Sequence, residues 1–324
     1  MSTDSNHGTT RVVVAALAGN AAIAISKFVA AYFSQSAAML AEAIHSVSDS
    51  GNQILLLVGM RLAARPATDR HPFGRDAERY FWPFLVSLVL FLGGGLFALY
   101  EGYHKMRHPG FEPTGRQLLW AYGVLGTSVL FEIYSFSVAL REFRREHSGR
   151  AVKDIISESR DMTVPLVLME DTAALVGLMI ALIGIGASQF VHAPWIDGAA
   201  SMAIGVVLCG VAAVIARQTH TLLIGAAAST EDRRTVETIV AESPRVLRVV
   251  EMLSLHVGPD DVIVALKVAF DPEIGLKDLE EVINEIERRI RAKLPRMRRI
   301  FIEPDSVGDA SSAAGAPVAA PTTT

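Results

Sequence analysis

A chain of 324 residues that is 51% hydrophobic, 20% charged and of mean hydropathy +0.34 is too apolar for an ordinary soluble domain and too charged to lie wholly within a membrane. The formal net charge of −4, with nothing basic clustered to neutralise phosphates, argues against a nucleic-acid partner. A single cysteine, Cys209, set in an apolar run, excludes a disulfide framework and a thiol-rich metal site.

In chain order, residues 1–10 are polar and are expected to be disordered. The apolar run after Arg11 is too long for a secretory signal and lacks a clear cleavage site, so it reads as a first spanning helix. Six apolar segments reach the ~20 residues that cross a hydrocarbon core: Val12–Phe33, Ala37–Leu62, Tyr80–Tyr100, Leu118–Leu140, Val164–Phe190 and Trp195–Ala216. After Thr221 the composition becomes charged and mixed as far as Asp305, and the Ala/Ser/Pro/Thr-rich residues 306–324 read as a disordered tail. The expected fold class is an α-helical membrane protein: six transmembrane helices over residues 11–225, then a small α/β ferredoxin-like domain over residues 226–305.

Loop charges set the expected orientation. Arg61, Arg65, Arg70, Arg75 and Arg79 lie between spans two and three, and Arg141, Arg144, Arg145, Arg150, Lys153 and Arg160 between spans four and five. The connections between spans one and two and between five and six carry no Lys or Arg, and only Lys105, Arg107 and Arg116 flank the third-to-fourth connection. Positive-inside bias places both termini in the cytoplasm, with the inner membrane of a bacterium as the expected host.

The charged segment reads as helix, strand, strand, helix, strand. Glu231–Ser243 has helical apolar spacing behind the N-cap candidates Ser229 and Thr230. The β-branched runs Val246–Val257 and Val262–Phe270 are joined by the turn signal Gly258-Pro259-Asp260-Asp261. Lys277–Lys293 places Leu279, Val282, Ile286 and Ile290 on one helical face, and Arg298–Ile302 reads as a last strand.

Two spans are interrupted by ionisable groups, which a membrane interior disfavours by several kcal/mol unless they face a partner or a polar cavity. On span two, Glu42, His45, Asp49, Asn52 and Gln53 form one polar stripe, and His45 and Asp49, one helical turn apart, point the same way. On span five, Glu170 and Asp171 are adjacent, diverging by about 100° on a helix, so that one serves as a ligand and the other in a supporting or proton-handling role. The bland alternative is a stripe that glues helices by hydrogen bonds of about 1 kcal/mol each, a task that rarely needs a His and two carboxylates. Lys27 on span one and Glu132 on span four lie too deep for easy snorkelling and read as an ion-pair partner or a proton relay together with Glu42.

An imidazole and carboxylates converging on one point suit a divalent metal ion: His45, Asp49 and Asp171, with Glu170 as a fourth, fit Zn²⁺ and also accept Fe²⁺, Mn²⁺ or Co²⁺. Each ligand binds metal when deprotonated, so protons and metal compete for the same groups, which is the physical basis of metal/proton antiport. A membrane-embedded metal-dependent hydrolase is the rival class, and against it the chain has no H-E-x-x-H helix and no phosphate-binding glycine loop. A metal-responsive receptor would need ligands in the soluble domain, where few occur.

His45-x-x-x-Asp49 on span two, Arg65-Pro66-Ala67 followed by Asp69-Arg70-His71-Pro72-Phe73-Gly74, and Asp197-Gly198 opening span six resemble the cation diffusion facilitator family of six-span metal/proton antiporters. His45-Ser46-x-x-Asp49-x-x-Asn52-Gln53 with Glu78-Arg79-Tyr80-Phe81-Trp82 is similar to the branch that includes a mitochondrial zinc transporter of animals. The resemblance implies export of a divalent metal, zinc first, from the cytoplasm in exchange for protons, a homodimer formed through the cytoplasmic domain, the lipid bilayer as setting, and no prosthetic cofactor and no enzymatic activity. The family's fifth-span His-x-x-x-Asp motif has Val167 at its His position if Asp171 is its Asp, leaving a more oxygen-rich set. A possible weak second site at Asp69 and His71 is one ligand short, because Arg75 stands at the next His position. In the soluble domain His256, Glu303, Asp305, Asp260 and Asp261 are the available ligands, but Lys267 and Phe301 occupy the strand positions expected to bind zinc, so dimerisation without bound metal is expected.

Overall fold

The computed structural model of the chain describes residues 21–108, 115–146, 163–191, 193 and 195–305. The readings for residues 1–10, the start of span one, the basic residues Arg150, Lys153 and Arg160, and the tail 306–324 lie outside the described residues. Two compact units divide between Leu223 and Ile224.

The first unit is helical. Helix α1 (Ala21–Ser34) buries Ala24, Lys27, Ala30, Ala31 and Ser34 on one face. It ends at Gln35, whose φ of 50° turns the chain and whose side-chain amide donates to the Tyr32 carbonyl at 2.7 Å. Ser36 then caps α2 (Ala37–Ala63), its Oγ accepting from the Met39 N–H at 3.1 Å. A loop follows in which Thr68 and His71 pair their backbones, and Gly74, at φ 86°, closes the next turn.

Helix α3 runs over Glu78–Arg107, with its middle turn Leu90–Leu96 wound as a π-helix around Gly93-Gly94-Gly95. Helices α4 (Arg116–Glu146), α5 (Thr163–Val191) and α6 (Trp195–Gly225) complete the unit. α2 packs on α3 and α5, and α4 packs on α5. α3, α4, α5 and α6 are each long and apolar enough to cross a membrane. Helix α2 has the length, 27 residues, but its polar stripe lowers its hydropathy. Leu92 and Tyr100 on α3, and Leu119, Leu130, Phe131 and Tyr134 on α4, are exposed, which suits a surface facing hydrocarbon.

Small residues bring α6 against α3. A Cβ at Gly102 would fall 2.6 Å from the Gly198 carbonyl oxygen, and one at Gly198 would fall 2.7 Å from the Gly102 carbonyl oxygen. Ser201 Oγ donates across the same seam to the Ala98 carbonyl at 2.9 Å. At one end of the unit the side chain of Asp197 accepts from Ser36 Oγ and, at 2.6 Å, from the Ala37 N–H, so a carboxylate on α6 sits at the positive end of α2.

The second unit is an α/β module: α7 (Thr230–Ala241), β1 (Val246–Gly258), β2 (Asp261–Phe270), α8 (Leu276–Lys293) and β3 (Arg299–Asp305). β1 and β2 are antiparallel and β2 and β3 parallel, in the order β1-β2-β3. Alternation along β2 sends Val262, Val264, Leu266, Val268 and Phe270 into a core shared with Val236, Ile239, Ile286 and Ile290 of the helices. The described residues are one strand short of the β-α-β-β-α-β order of a complete ferredoxin-like unit.

Where α7 leads into β1, Arg245 takes a φ of 64° and its guanidinium meets Asp271 at 2.7 Å. The Asp271 carboxyl is held below the usual range, first by the Glu273 backbone N–H at 3.0 Å and then by Arg245. A pKa lowered on folding stabilises above the unfolded value and loses that contribution as pH falls through the folded one. Asp271→Asn is therefore expected to flatten the fall of the thermal midpoint below about pH 4, and an acid limb unchanged by the substitution would contradict this.

Candidate metal centre

Helix α2 carries the polar stripe inward. Glu42, His45 and Asn52 are fully buried, and the Asp49 side chain is 22% exposed. His45 Nδ1 lies 3.5 Å from Asp49 Oδ1, so the one-turn spacing does place the two groups side by side. Glu42 Oε1, both ring nitrogens of His45, Asp49 Oδ1 and Asn52 Oδ1 are buried and have no hydrogen-bond partner among the described residues. Buried polar atoms are nearly always paired, so this row of donor and acceptor atoms at i, i+3, i+7 and i+10 calls for a ligand, protons or water.

Facing helices supply the rest. Lys27 of α1, buried, donates to Ser46 Oγ at 2.7 Å and pairs with Glu42 Oε2 at 3.3 Å. Gly177 of α5 leaves the space that Glu42 Oε1 occupies. Glu170 of α5 is buried and accepts from the Asn52 side-chain amide at 2.7 Å, while Asp171 turns toward α4 and accepts from Ser135 Oγ at 2.9 Å. The two adjacent carboxylates are thus aimed at different helices, as their angular separation demands. Glu132 of α4 is half-buried, within electrostatic range of Glu42, Asp49, Asp171 and Lys27.

Five carboxylates therefore surround one ammonium in an apolar bundle. Such an excess is stable only when protons or a cation neutralise it. Among the described residues no three His, Cys, Asp or Glu side chains stand close enough together to hold one ion. His45 and Asp49 are together; Glu170 is held by Asn52 and Asp171 by Ser135, each one hydrogen bond away from release.

Residues 69 and 71 fall in the exposed loop after α2, where the His71 N–H donates to the Thr68 carbonyl at 2.9 Å and to Thr68 Oγ1 at 3.2 Å, so the backbone of His71 structures a turn. In the second unit His256 is buried with Nδ1 3.3 Å from the Gly258 carbonyl, and Asp261 pairs with Arg299. Lys267 pairs with Glu303 at 3.5 Å. Of the partners of the stripe, Ser135 was not singled out from the sequence. Ser135 carries no signal beyond lying three residues from Glu132, whereas Asn52 belongs to the stripe itself and Ser46 adjoins His45.

The chain matches the model of the cation efflux transmembrane domain over residues 13–224 and that of the cation efflux protein cytoplasmic domain over residues 228–307. It is 28% identical to a mitochondrial proton-coupled zinc antiporter of Mus musculus over 303 residues, covering 91% of this chain and 52% of that protein. It is also 28% identical to a metal tolerance protein of Arabidopsis thaliana over 291 residues, covering 89% of this chain and 62% of that protein. The magnetosome protein MamB of Paramagnetospirillum magneticum is 23% identical over 296 residues, covering 90% of this chain and 93% of its own. The chain spans about half the length of the zinc antiporters it matches. On the strength of the transmembrane-domain match, the chain belongs to the cation efflux family, also called cation diffusion facilitators.

Proposed function

We propose that this protein is a secondary transporter that moves a divalent metal cation, zinc first, out of the cytoplasm in exchange for protons. The observation that carries the reading is the row of unpartnered buried atoms on α2, Glu42 Oε1 to Asn52 Oδ1, facing the acidic pair of α5. His45 and Asp49 form the fixed half of the site; Asp171 and Glu170 swing from Ser135 and Asn52 to complete it. An arriving divalent ion replaces protons on the same carboxylates and imidazole, and release reverses the exchange. The Mus musculus relative is a proton-coupled zinc antiporter, which supports the same assignment.

The remaining architecture belongs to this reading. Helices α1 and α2 complete a set of six spans, both termini and the α/β module are cytoplasmic, and the host is the inner membrane of a bacterium. The basic residues after α2, from Arg61 to Arg79, support that orientation. The module joins two copies of the chain, and the exposed Leu253, Leu255 and Phe301, which neighbour one another through Ala265 and Ile263 on one sheet face, offer the apolar surface for it.

In proteoliposomes with an imposed pH gradient, Zn²⁺ movement coupled to protons is expected for the wild type and absent for Asp171→Ala; undiminished exchange by that variant would overturn the site. A harder cation, Fe²⁺ or Mn²⁺, is the second reading, favoured by the absence of a histidine on α5 where Val167 stands one turn before Asp171. Val167→His is expected to raise transport of Zn²⁺ relative to Mn²⁺ by about tenfold, the effect that about 1.4 kcal/mol of added ligand energy has on an equilibrium. An unchanged ratio would remove Val167 from the site.

A further inference from the structure

Helix α3 carries none of the groups assigned to transport, yet its last turn and C-cap bring two histidines side by side. His104 and His108 are four residues apart, both exposed, with ring centroids 4.9 Å apart and ring planes inclined by 32°. The His108 N–H donates to the His104 carbonyl at 2.9 Å, so His108 caps the helix one turn beyond His104, with its own φ of −128° and ψ of 72° outside the helical range. Imidazoles at i and i+4 on one helix face reach a single ion, the geometry by which helical His pairs hold zinc.

The surroundings favour a cation. The final carbonyls of a helix carry the negative end of its dipole. The two neighbouring cations of this turn are directed elsewhere. Lys105 Nζ donates to the Gln35 carbonyl at the α1–α2 turn. Arg107 donates from Nε to Tyr103 Oη at 3.0 Å and lies over the Tyr103 ring, its guanidinium carbon 5.5 Å from the centroid. The histidine face is continued by Tyr100, whose ring stacks on His104 at 6.2 Å, so the pair has a neutral aromatic neighbour rather than a competing charge.

We propose that His104 and His108 form a second, independent binding site for a borderline divalent cation of the Zn²⁺, Ni²⁺ or Cu²⁺ class. Two neutral imidazoles supply half of a tetrahedral shell and water completes it. Such a site, with no carboxylate, discriminates against Mn²⁺ and Mg²⁺, which prefer oxygen donors. Metal binding here does not rest on the transport reading. Only its place does: in the orientation proposed above, the end of α3 lies on the non-cytoplasmic face, where an exported ion leaves.

The test uses the full chain in detergent with Asp49→Ala, which disables the proposed transport site, and titrates Ni²⁺ and Zn²⁺ by calorimetry. One ion bound per chain is expected. Either His104→Ala or His108→Ala should weaken binding at least about tenfold, since even outer-shell partners of a metal are worth roughly 10–100-fold in affinity. Mn²⁺ at the same concentration should give no heat. Binding that persists in both His variants, or no binding in the Asp49→Ala protein, overturns the proposal and leaves Tyr100, His104 and His108 as a plain aromatic stack. His104→Gln, which keeps a polar side chain at the helix end, guards against loss through misfolding: it should elute as the parent does and still fail to bind. Failure of the transport reading appears separately, as unchanged metal/proton exchange by Asp171→Ala.

Discussion

Asp49→Ala is expected to abolish metal-dependent proton exchange while leaving a folded, inserted protein. The two halves of that expectation come from the same geometry. Asp49 is 22% exposed and its Oδ1 accepts no hydrogen bond, so removing it orphans no donor and opens little cavity. In the proposed site its carboxylate is nevertheless the anionic ligand beside His45 on α2, and a ligand lost from a four-ligand site costs at least about 100-fold in affinity, the upper end of what outer-shell partners alone contribute. Asp49→Asn keeps the shape, removes the charge and should fail equally. Glu42 gives the contrast: it is buried against Lys27, and truncating it leaves an uncompensated ammonium at a cost of about 3–5 kcal/mol. Loss of transport by Glu42→Ala would thus come with loss of stability, whereas loss by Asp49→Ala should not. A pH-sensitive dye in zinc-challenged proteoliposomes reads the first effect and a detergent-phase thermal midpoint the second; exchange at the wild-type rate by Asp49→Ala would contradict the assignment.

Gly198→Leu should be the most damaging single substitution away from the polar stripe. A Cβ at Gly198 would lie 2.7 Å from the Gly102 carbonyl oxygen and 2.8 Å from Met106 Cγ, where neither helix backbone can retreat without separating α3 from α6. Overpacking a close contact costs typically about 1–3 kcal/mol and more where backbone must move. The neighbouring residue adds to the damage. Asp197 ties the start of α6 to Ser36 and the Ala37 N–H, so displacement of α6 also uncaps α2, the helix that carries the site. We expect a thermal midpoint many degrees below wild type and a polydisperse elution profile. Gly123→Leu on α4, where an added Cβ meets nothing within 4 Å, should behave as wild type. Equal midpoints for the two variants would refute the close α3–α6 seam.

The helical membrane unit and the α/β module were legible because hydrophobic period and caps are local signals. Ser229 was readable as an N-cap and does accept from the Asp232 N–H at 3.1 Å. The β1–β2 turn at Gly258–Asp261 follows from its residue types, and the second strand runs over Asp261–Phe270 with its expected alternation. Cross-helix register is not local. Nothing in the sequence says that Asn52 meets Glu170, 118 positions away, or that Asp171 faces Ser135. The π-turn around Gly93-Gly94-Gly95 lies against Ser48 of α2 and Leu208 and Cys209 of α6, contacts that no window of sequence contains. The module's order of helix, strand, strand, helix, strand was legible element by element, whereas its ferredoxin-like label asks for a fourth strand that the described residues do not contain.

The central claim is that metal and protons compete for the same buried groups of α2 and α5. It is tested most directly by titrating Zn²⁺ into purified protein in weak buffer and counting protons released, using a His104→Ala background that removes the helix-end site. The account predicts proton release with each ion bound, lost together with high-affinity binding in Asp49→Ala and in Asp171→Ala. Zinc bound without proton release, or release that persists unchanged in both variants, would contradict it.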